Sequence, residues 1–342
     1  MSHEALQNIW YLLIGVLVTG YAILDGFDLG VGVLSPFVAR NDRERRLLLS
    51  AIGPFWDGNE VWLLTAGGAL FAAFPHVYAT VFSGFYLALM LVLFALIFRA
   101  ISFEFRSKVE GKGWRRFWDW AFFVGSFLPA LLTGVAVGNV VRGVPLDAQM
   151  EFTGNFLTLL NPFSLLVGLT GLTMFITHGA IYLVMKANGT VAERAKRWAV
   201  TGWIALVVLA VLATLVAVMD VPARFDNTLR APIAWVIPLL TAIFLAAMRV
   251  NLGQGKAGKA FLFSALSISG LMGIFGLANY PYLLPARNAV QYSLTIYNAS
   301  ASRNTLTVMF IIALIGMPLV IAYTAYIYYV FRGKARVEEG GY

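Results

Sequence analysis

The chain is written as long apolar runs separated by short polar, mostly basic, ones. Nine runs approach or exceed the ~20 residues that cross a ~30 Å hydrocarbon core. They are Ile9–Phe37, Leu47–Ala73, Val77–Phe103, Phe117–Val137, Phe163–Leu183, Trp198–Met219, Pro232–Val250, Ala260–Ala278 and Thr305–Phe331. They recur along the whole length and leave no room for a soluble domain or a linker to one. The pattern predicts an all-α integral membrane protein of nine transmembrane helices forming a single membrane domain over 1–342. Within it, residues 9–139 and 162–279 read as two four-helix bundles and residues 304–332 as an additional ninth helix.

Charge gives these helices a direction. Of the 25 lysines and arginines, twenty fall in one alternating set of loops. The other set holds five: Arg142, Arg224, Arg230, Arg287 and Arg303. Cytoplasmic loops carry the excess of basic residues, so the N-terminus is expected outside and the C-terminus inside. The same distribution turns the net charge of +8 into a topology signal, with no nucleic-acid surface implied. Composition agrees: 60% hydrophobic and 12% charged residues, with mean hydropathy +0.77, describe a chain solvated by lipid. Cysteine is absent, which excludes disulfides, thiolate metal sites and thiol redox chemistry. The first apolar run contains acids, lacks a basic leader and continues to spanning length, so no signal peptide is expected.

Against that background the stretch Gly53–Gly68, GPFWDGNEVWLLTAGG, is anomalous, because it carries Asp57, Asn59 and Glu60 into an apolar run. An ionisable group at membrane depth costs at least ~2.5 kcal/mol and marks a candidate site. Asp25 stands 16 residues after Ile9, and Asp57 stands 16 residues before Ala73. At 1.5 Å per residue both lie ~24 Å from the outer face, level on consecutive helices in the cytoplasmic third. Asp28 falls one turn nearer the cytoplasm, while Arg99 and Glu104 close the third helix on the same side. Such carboxyls can relay protons. Pro54 cannot donate to the carbonyl of Ser50, which is thereby freed for water beside Asp57. The plainer reading is that Asp57, Asn59 and Arg99 staple helices together by polar pairing.

Other features read as structure. The Gly26-x-x-x-Gly30 spacing with Gly32, and the pair Gly67-Gly68, suit close helix packing. The chain has three histidines: His3 and His76 fall outside the apolar runs, and His178 inside the fifth is expected to bond a neighbouring helix. The Gly253–Lys259 loop lacks the strand and hydroxyl of a phosphate cradle and reads as a basic turn. No nucleophile–base pair, metal-spaced cluster or nucleotide motif is evident.

Several segments resemble subunit II of the cytochrome bd quinol oxidases. DGFDLGVG from Asp25, GPFWDGNEVWLLTAGGALFAAFP from Gly53 and FRAISFEFRSK from Phe98 carry the likeness. So do the later GSFLPALLTGVAVGN, TGNFLTLLNPF and SLTIYNASASRNTLTVM. The resemblance implies a nine-helix protein of the bacterial cytoplasmic membrane, pseudo-symmetric with a haem-bearing partner, subunit I. It implies that subunit I holds two b-type haems and one d-type haem, oxidises quinol and reduces oxygen to water. This chain would bind no haem or metal, would support assembly, and would carry a proton path from the cytoplasm. By motif match that path involves Asp57 and Trp56, with Arg99 and Glu104 at its cytoplasmic end. Asp25, Asp28 and Asn59 are candidate members from their depth. A structural quinone, lipids and small single-helix accessory subunits are further expected partners. Two other readings remain open on the residues alone, a proton-coupled transporter and a purely structural scaffold.

Overall fold

A computed structural model describes residues 1–222 and 232–336. Arg224 and Arg230, counted above among the outer basic residues, lie outside the described residues. The fold is all-α. Among the described residues, eight helices are long and apolar enough to cross a membrane. They are α1 (His3–Val38), α5 (Tyr86–Phe105), α6 (Lys112–Arg142), α8 (Pro162–Lys186), α9 (Gly189–Asp220), α10 (Val236–Gly253), α11 (Ala257–Asn279) and α12 (Arg303–Val330).

The second expected span departs from the pattern, because it is broken into α2 (Asp42–Ile52) and α3 (Trp56–Ala73). Pro54 sits in the break, with no amide hydrogen to continue the helix. Phe55 donates its N–H to Ile52 at 2.9 Å, a tighter turn, so the carbonyl of Ala51 needs another donor. The Tyr182 hydroxyl on α8 supplies it at 2.6 Å. Ala51, and not only Ser50, is therefore the carbonyl released by the break. The third expected span is also divided, into α4 (Pro75–Gly84) and α5, at Phe85.

Helix α8 is the centre of the bundle, packed on α9, α6, α1 and α11. Its contact with α1 depends on glycine facing glycine. A Cβ on Gly30 would stand 1.9 Å from the carbonyl oxygen of Phe175, and one on Gly179 would stand 2.6 Å from Gly30. The packing expectation thus holds for Gly26, Gly30 and Gly32. Gly67 and Gly68 meet nothing within 4 Å inside the chain, so they serve no close packing within it.

The loops over 140–161 and 280–303 do more than line the interface. They build a small folded cap in which β1 (Tyr282–Leu284) pairs antiparallel with β2 (Leu294–Thr295). Bridges join Val144 to Ala286 and Leu146 to Phe152, and α7 (Phe156–Leu159) closes the first loop. Leu146, Leu284 and Leu294 share an apolar cluster with Leu6 and Phe74. At the opposite end, Arg106 reaches Asp119 at 2.6 Å and Asp42 at 2.8 Å, tying the end of α5 to α6 and α2.

Candidate functional site

The polar side chains that the apolar runs should exclude are drawn together from α1, α3, α5 and α12. Asp25 and Asp28 project from the same side of α1, three residues apart. Arg99 of α5 meets Asp25 in a bidentate pair, Nη2 to Oδ1 at 2.6 Å and Nη1 to Oδ2 at 3.1 Å. Both side chains are 0% exposed. Planar two-point pairing is the geometry in which a buried guanidinium and carboxylate best satisfy one another.

Asn59, near the start of α3, is the second junction. Its amide donates to Asp28 Oδ2 at 2.7 Å and to the carbonyl of Leu24 at 3.0 Å. Its own oxygen accepts from the Tyr328 hydroxyl of α12 at 3.2 Å. Asp28 Oδ1 is buried with no partner among the described residues. Glu60, half-buried on the next residue of α3, lies within electrostatic reach of Arg99 and Asp25.

Of the candidates named from the sequence, Asp25, Arg99, Asp28 and Asn59 are brought into one cluster. Asp57 and Glu104 are not. The side chain of Asp57 is exposed in the first turn of α3, where a carboxylate suits the helix dipole, and Glu104 is exposed near the end of α5. The similar depth of Asp25 and Asp57 therefore does not make them neighbours. Trp56 is half-buried and stacks on Phe103 at 4.9 Å with 7° between the planes. Asp57 heads an outward stripe of Val61, Leu64, Gly68 and Phe71, alternately four and three residues apart along α3.

Sequence reading missed Tyr328 and Tyr182. Tyr328 lies in an aromatic-rich helix end of the kind that normally sits in the interfacial belt, and Tyr182 stands between aliphatic residues near the end of α8. Nothing in YTAYIYYV separates Tyr328 from its neighbours. His178 behaves as a helix-bonding histidine: Nδ1 faces the Ser264 hydroxyl at 2.8 Å and Nε2 faces the Ile23 carbonyl at 3.0 Å. Among the described residues no group of three or more histidine or acidic side chains is arranged to hold a metal.

Comparison with known proteins places the fold in a family. The family model described as cytochrome bd terminal oxidase subunit II matches residues 6–331. The chain belongs to that family. It is 40% identical to cytochrome bd-I ubiquinol oxidase subunit 2 of Escherichia coli strain K12, over 99% of this chain and 97% of the relative. It is 36% identical to cytochrome bd ubiquinol oxidase subunit 2 of Bacillus subtilis, over 98% of both chains. The solved bd oxidase of Geobacillus thermodenitrificans has the same fold, with a TM-score of 0.81 at 19% identity over 96% of this chain and 98% of that one. Family membership makes the chain a membrane subunit of a respiratory quinol oxidase, one that works beside a subunit I.

Proposed function

We propose that this chain is the haem-free subunit of its oxidase complex, that it supports assembly of the haem-bearing subunit I, and that it conducts protons from the cytoplasm toward oxygen reduction there. The observation carrying this reading is the pair Asp25 and Asp28, both 0% exposed at spanning depth, with one carboxylate oxygen of Asp28 left free. Fully buried acids in a membrane bundle are the groups that hold and release protons. Glu104 and Asp57, exposed on this chain, are suited to deliver protons at its surface, with Trp56, Arg99 and Asn59 positioning the route. Both ring nitrogens of His178 are engaged by neighbouring helices, which leaves neither for iron. The resemblance to cytochrome bd subunit II implies that the haems, two of type b and one of type d, and quinol oxidation belong to subunit I.

The outward stripe headed by Asp57 supports docking of subunit I on α3. Its alternating spacing of four and three is that of a helix seam, and the open space beside Gly67 and Gly68 admits a close partner helix. Docking there would bury Asp57 at the subunit boundary. The excess of basic residues in alternate loops supports an outside N-terminus and an inside C-terminus, with the broken α2–α3 segment counted as the ninth crossing.

The scaffold reading has one observation in its favour, the bidentate occupation of Asp25 by Arg99. Asp57→Asn separates the two. Proton delivery through this chain requires slower quinol-driven oxygen uptake with the haem content of the purified complex intact. Wild-type turnover in a fully assembled Asp57→Asn complex would leave the scaffold alone standing.

A further inference from the structure

At the basic-loop end of the bundle, a cavity of about 660 Å³ opens between the end of α1, α2, the end of α5 and the start of α6. Its lining holds five cationic side chains, Arg45, Arg106, Lys112, Arg115 and Arg116, against the two carboxylates of Asp42 and Asp119. Both carboxylates are fully used within the wall. Asp119 binds Arg45 and Arg106, each at 2.6 Å. Asp42 binds Arg106 at 2.8 Å and Arg115 at 3.4 Å. Lys112 and Arg116 have no ion pair among the described residues.

The donors are also incompletely satisfied. The Arg106 side chain is only 3% exposed, yet its Nη1 has no hydrogen-bond partner, and the same is true of Arg115 Nε. A buried unpaired guanidinium nitrogen costs more than a neutral one, so the wall keeps more positive charge and more donors than its own carboxylates satisfy. Apart from Ser35 and Ser102, the rest of the wall is apolar, with Leu48, Leu49 and Phe122 lining the cavity beside Trp120. Trp120 is 52% exposed, an amphipathic ring on the cavity wall of the kind found in an interfacial belt.

We infer that this cavity binds a phosphate-bearing anion. Guanidinium forks match phosphate oxygens geometrically, and an uncompensated surplus of three positive charges favours an anion over a zwitterion. The shared chemistry, a phosphate group, can come from an anionic phospholipid headgroup or from a soluble phosphate. The apolar wall beside the cations suits the first, since it offers the glycerol and acyl portions a surface. Basic pockets between spanning helices are where anionic headgroups settle. The inference is independent of proton conduction, because no residue of the buried acid cluster lines the cavity.

The test uses the detergent-purified complex with subunit I, titrated with fluorescent phosphatidylglycerol, with fluorescent phosphatidylcholine, and with inorganic phosphate as competitor. The variant is Lys112→Gln/Arg116→Gln, both exposed and free of ion pairs. Lys196→Gln/Arg197→Gln removes the same charge elsewhere on that side of the membrane, and co-purification with subunit I checks assembly of each. Phosphatidylglycerol should bind in preference to phosphatidylcholine. The Lys112/Arg116 variant should bind it about thirty-fold more weakly, taking ~1 kcal/mol per basic residue at an anionic surface and 1.4 kcal/mol per tenfold. The control should bind as the wild type does. Failure of millimolar phosphate to displace the lipid identifies the headgroup as the source, whereas displacement identifies a soluble phosphate. Equal binding of the two lipids without phosphate competition, or equal loss in both variants, would overturn the site.

Discussion

Removing either half of the Asp25–Arg99 pair tests whether the polar cluster holds the bundle together. At an effective dielectric of 20, unit charges ~4 Å apart attract by ~4 kcal/mol. The observed contacts, 2.6 and 3.1 Å with both side chains fully buried, leave no water to substitute for a missing partner. Breaking one side of such a pair costs ~3–5 kcal/mol, mostly because the other charge is stranded. Asp25→Asn and Arg99→Gln should therefore each lower stability by about that much, a factor of roughly 10²–10⁴ in the folded ratio. The double variant Asp25→Asn/Arg99→Gln strands no charge and puts two amides where they can bond. It should be more stable than the sum of the singles by ~2–3 kcal/mol. Thermal inactivation of the purified complex, read as subunit II remaining soluble and bound to subunit I, measures all four corners of the cycle. Additivity within ~0.5 kcal/mol, or a single variant as stable as the wild type, would refute the stranded-charge reasoning.

Three further outcomes follow from the packing and the ion pairs. Gly30→Ala forces a Cβ to 1.9 Å from a backbone oxygen, so α1 and α8 must part; a loss of ~1–3 kcal/mol and lower membrane yield are expected. Gly15→Ala, with nothing within 4 Å, should show no such loss in the same yield and thermal assays. Tyr182→Phe leaves the buried Ala51 carbonyl without its 2.6 Å donor and should cost ~1–3 kcal/mol in the same thermal assay, with faster hydrogen exchange at the α2–α3 break. At Asp42 burial pushes the carboxyl up, but the hydrogen bond and charge of Arg106, with Arg115, hold it below its ordinary value of 3.8. A depressed carboxylate stabilises the fold above that ordinary value and loses its contribution as pH falls below it. Thermal scans below pH 4 should therefore narrow the gap between wild type and Asp42→Asn, and a gap independent of pH would count against the pairing.

The apolar pattern located the spanning segments well, because twenty consecutive apolar residues have few alternatives to a membrane helix. It could not see where such a segment breaks. Pro54 gave a hint at the second span, but the division at Phe85 left no comparable mark. For the polar cluster, sequence flagged Asp25, Asp28, Asn59 and Arg99 as out of place in lipid, and they do meet. Which way a side chain turns on its helix is a matter of tertiary rotation, so Asp57 was as conspicuous as Asp25 yet faces outward. Tyr328 was invisible for the opposite reason: a tyrosine near a helix end is ordinary, and only the docking of α12 on α1 and α3 gives it Asn59 as a partner.

The hydrogen bond from Tyr328 to Asn59 also bears on the order of events during synthesis. Its two ends are 269 residues apart. At translation rates of ~5–20 residues per second, roughly 13–54 s separate the appearance of Asn59 from that of Tyr328. Once Arg99 has followed, 40 residues after Asn59, α1, α3 and α5 can bring Asp25, Asp28, Asn59 and Arg99 together, while the Asn59 oxygen waits for a donor. Helix α12 thus closes the polar centre only after residue 328 has been made, long after the acids it completes. A nascent chain truncated before residue 328 would carry the first-made acids in the membrane with their cluster unfinished, a defect that membrane proteases could read.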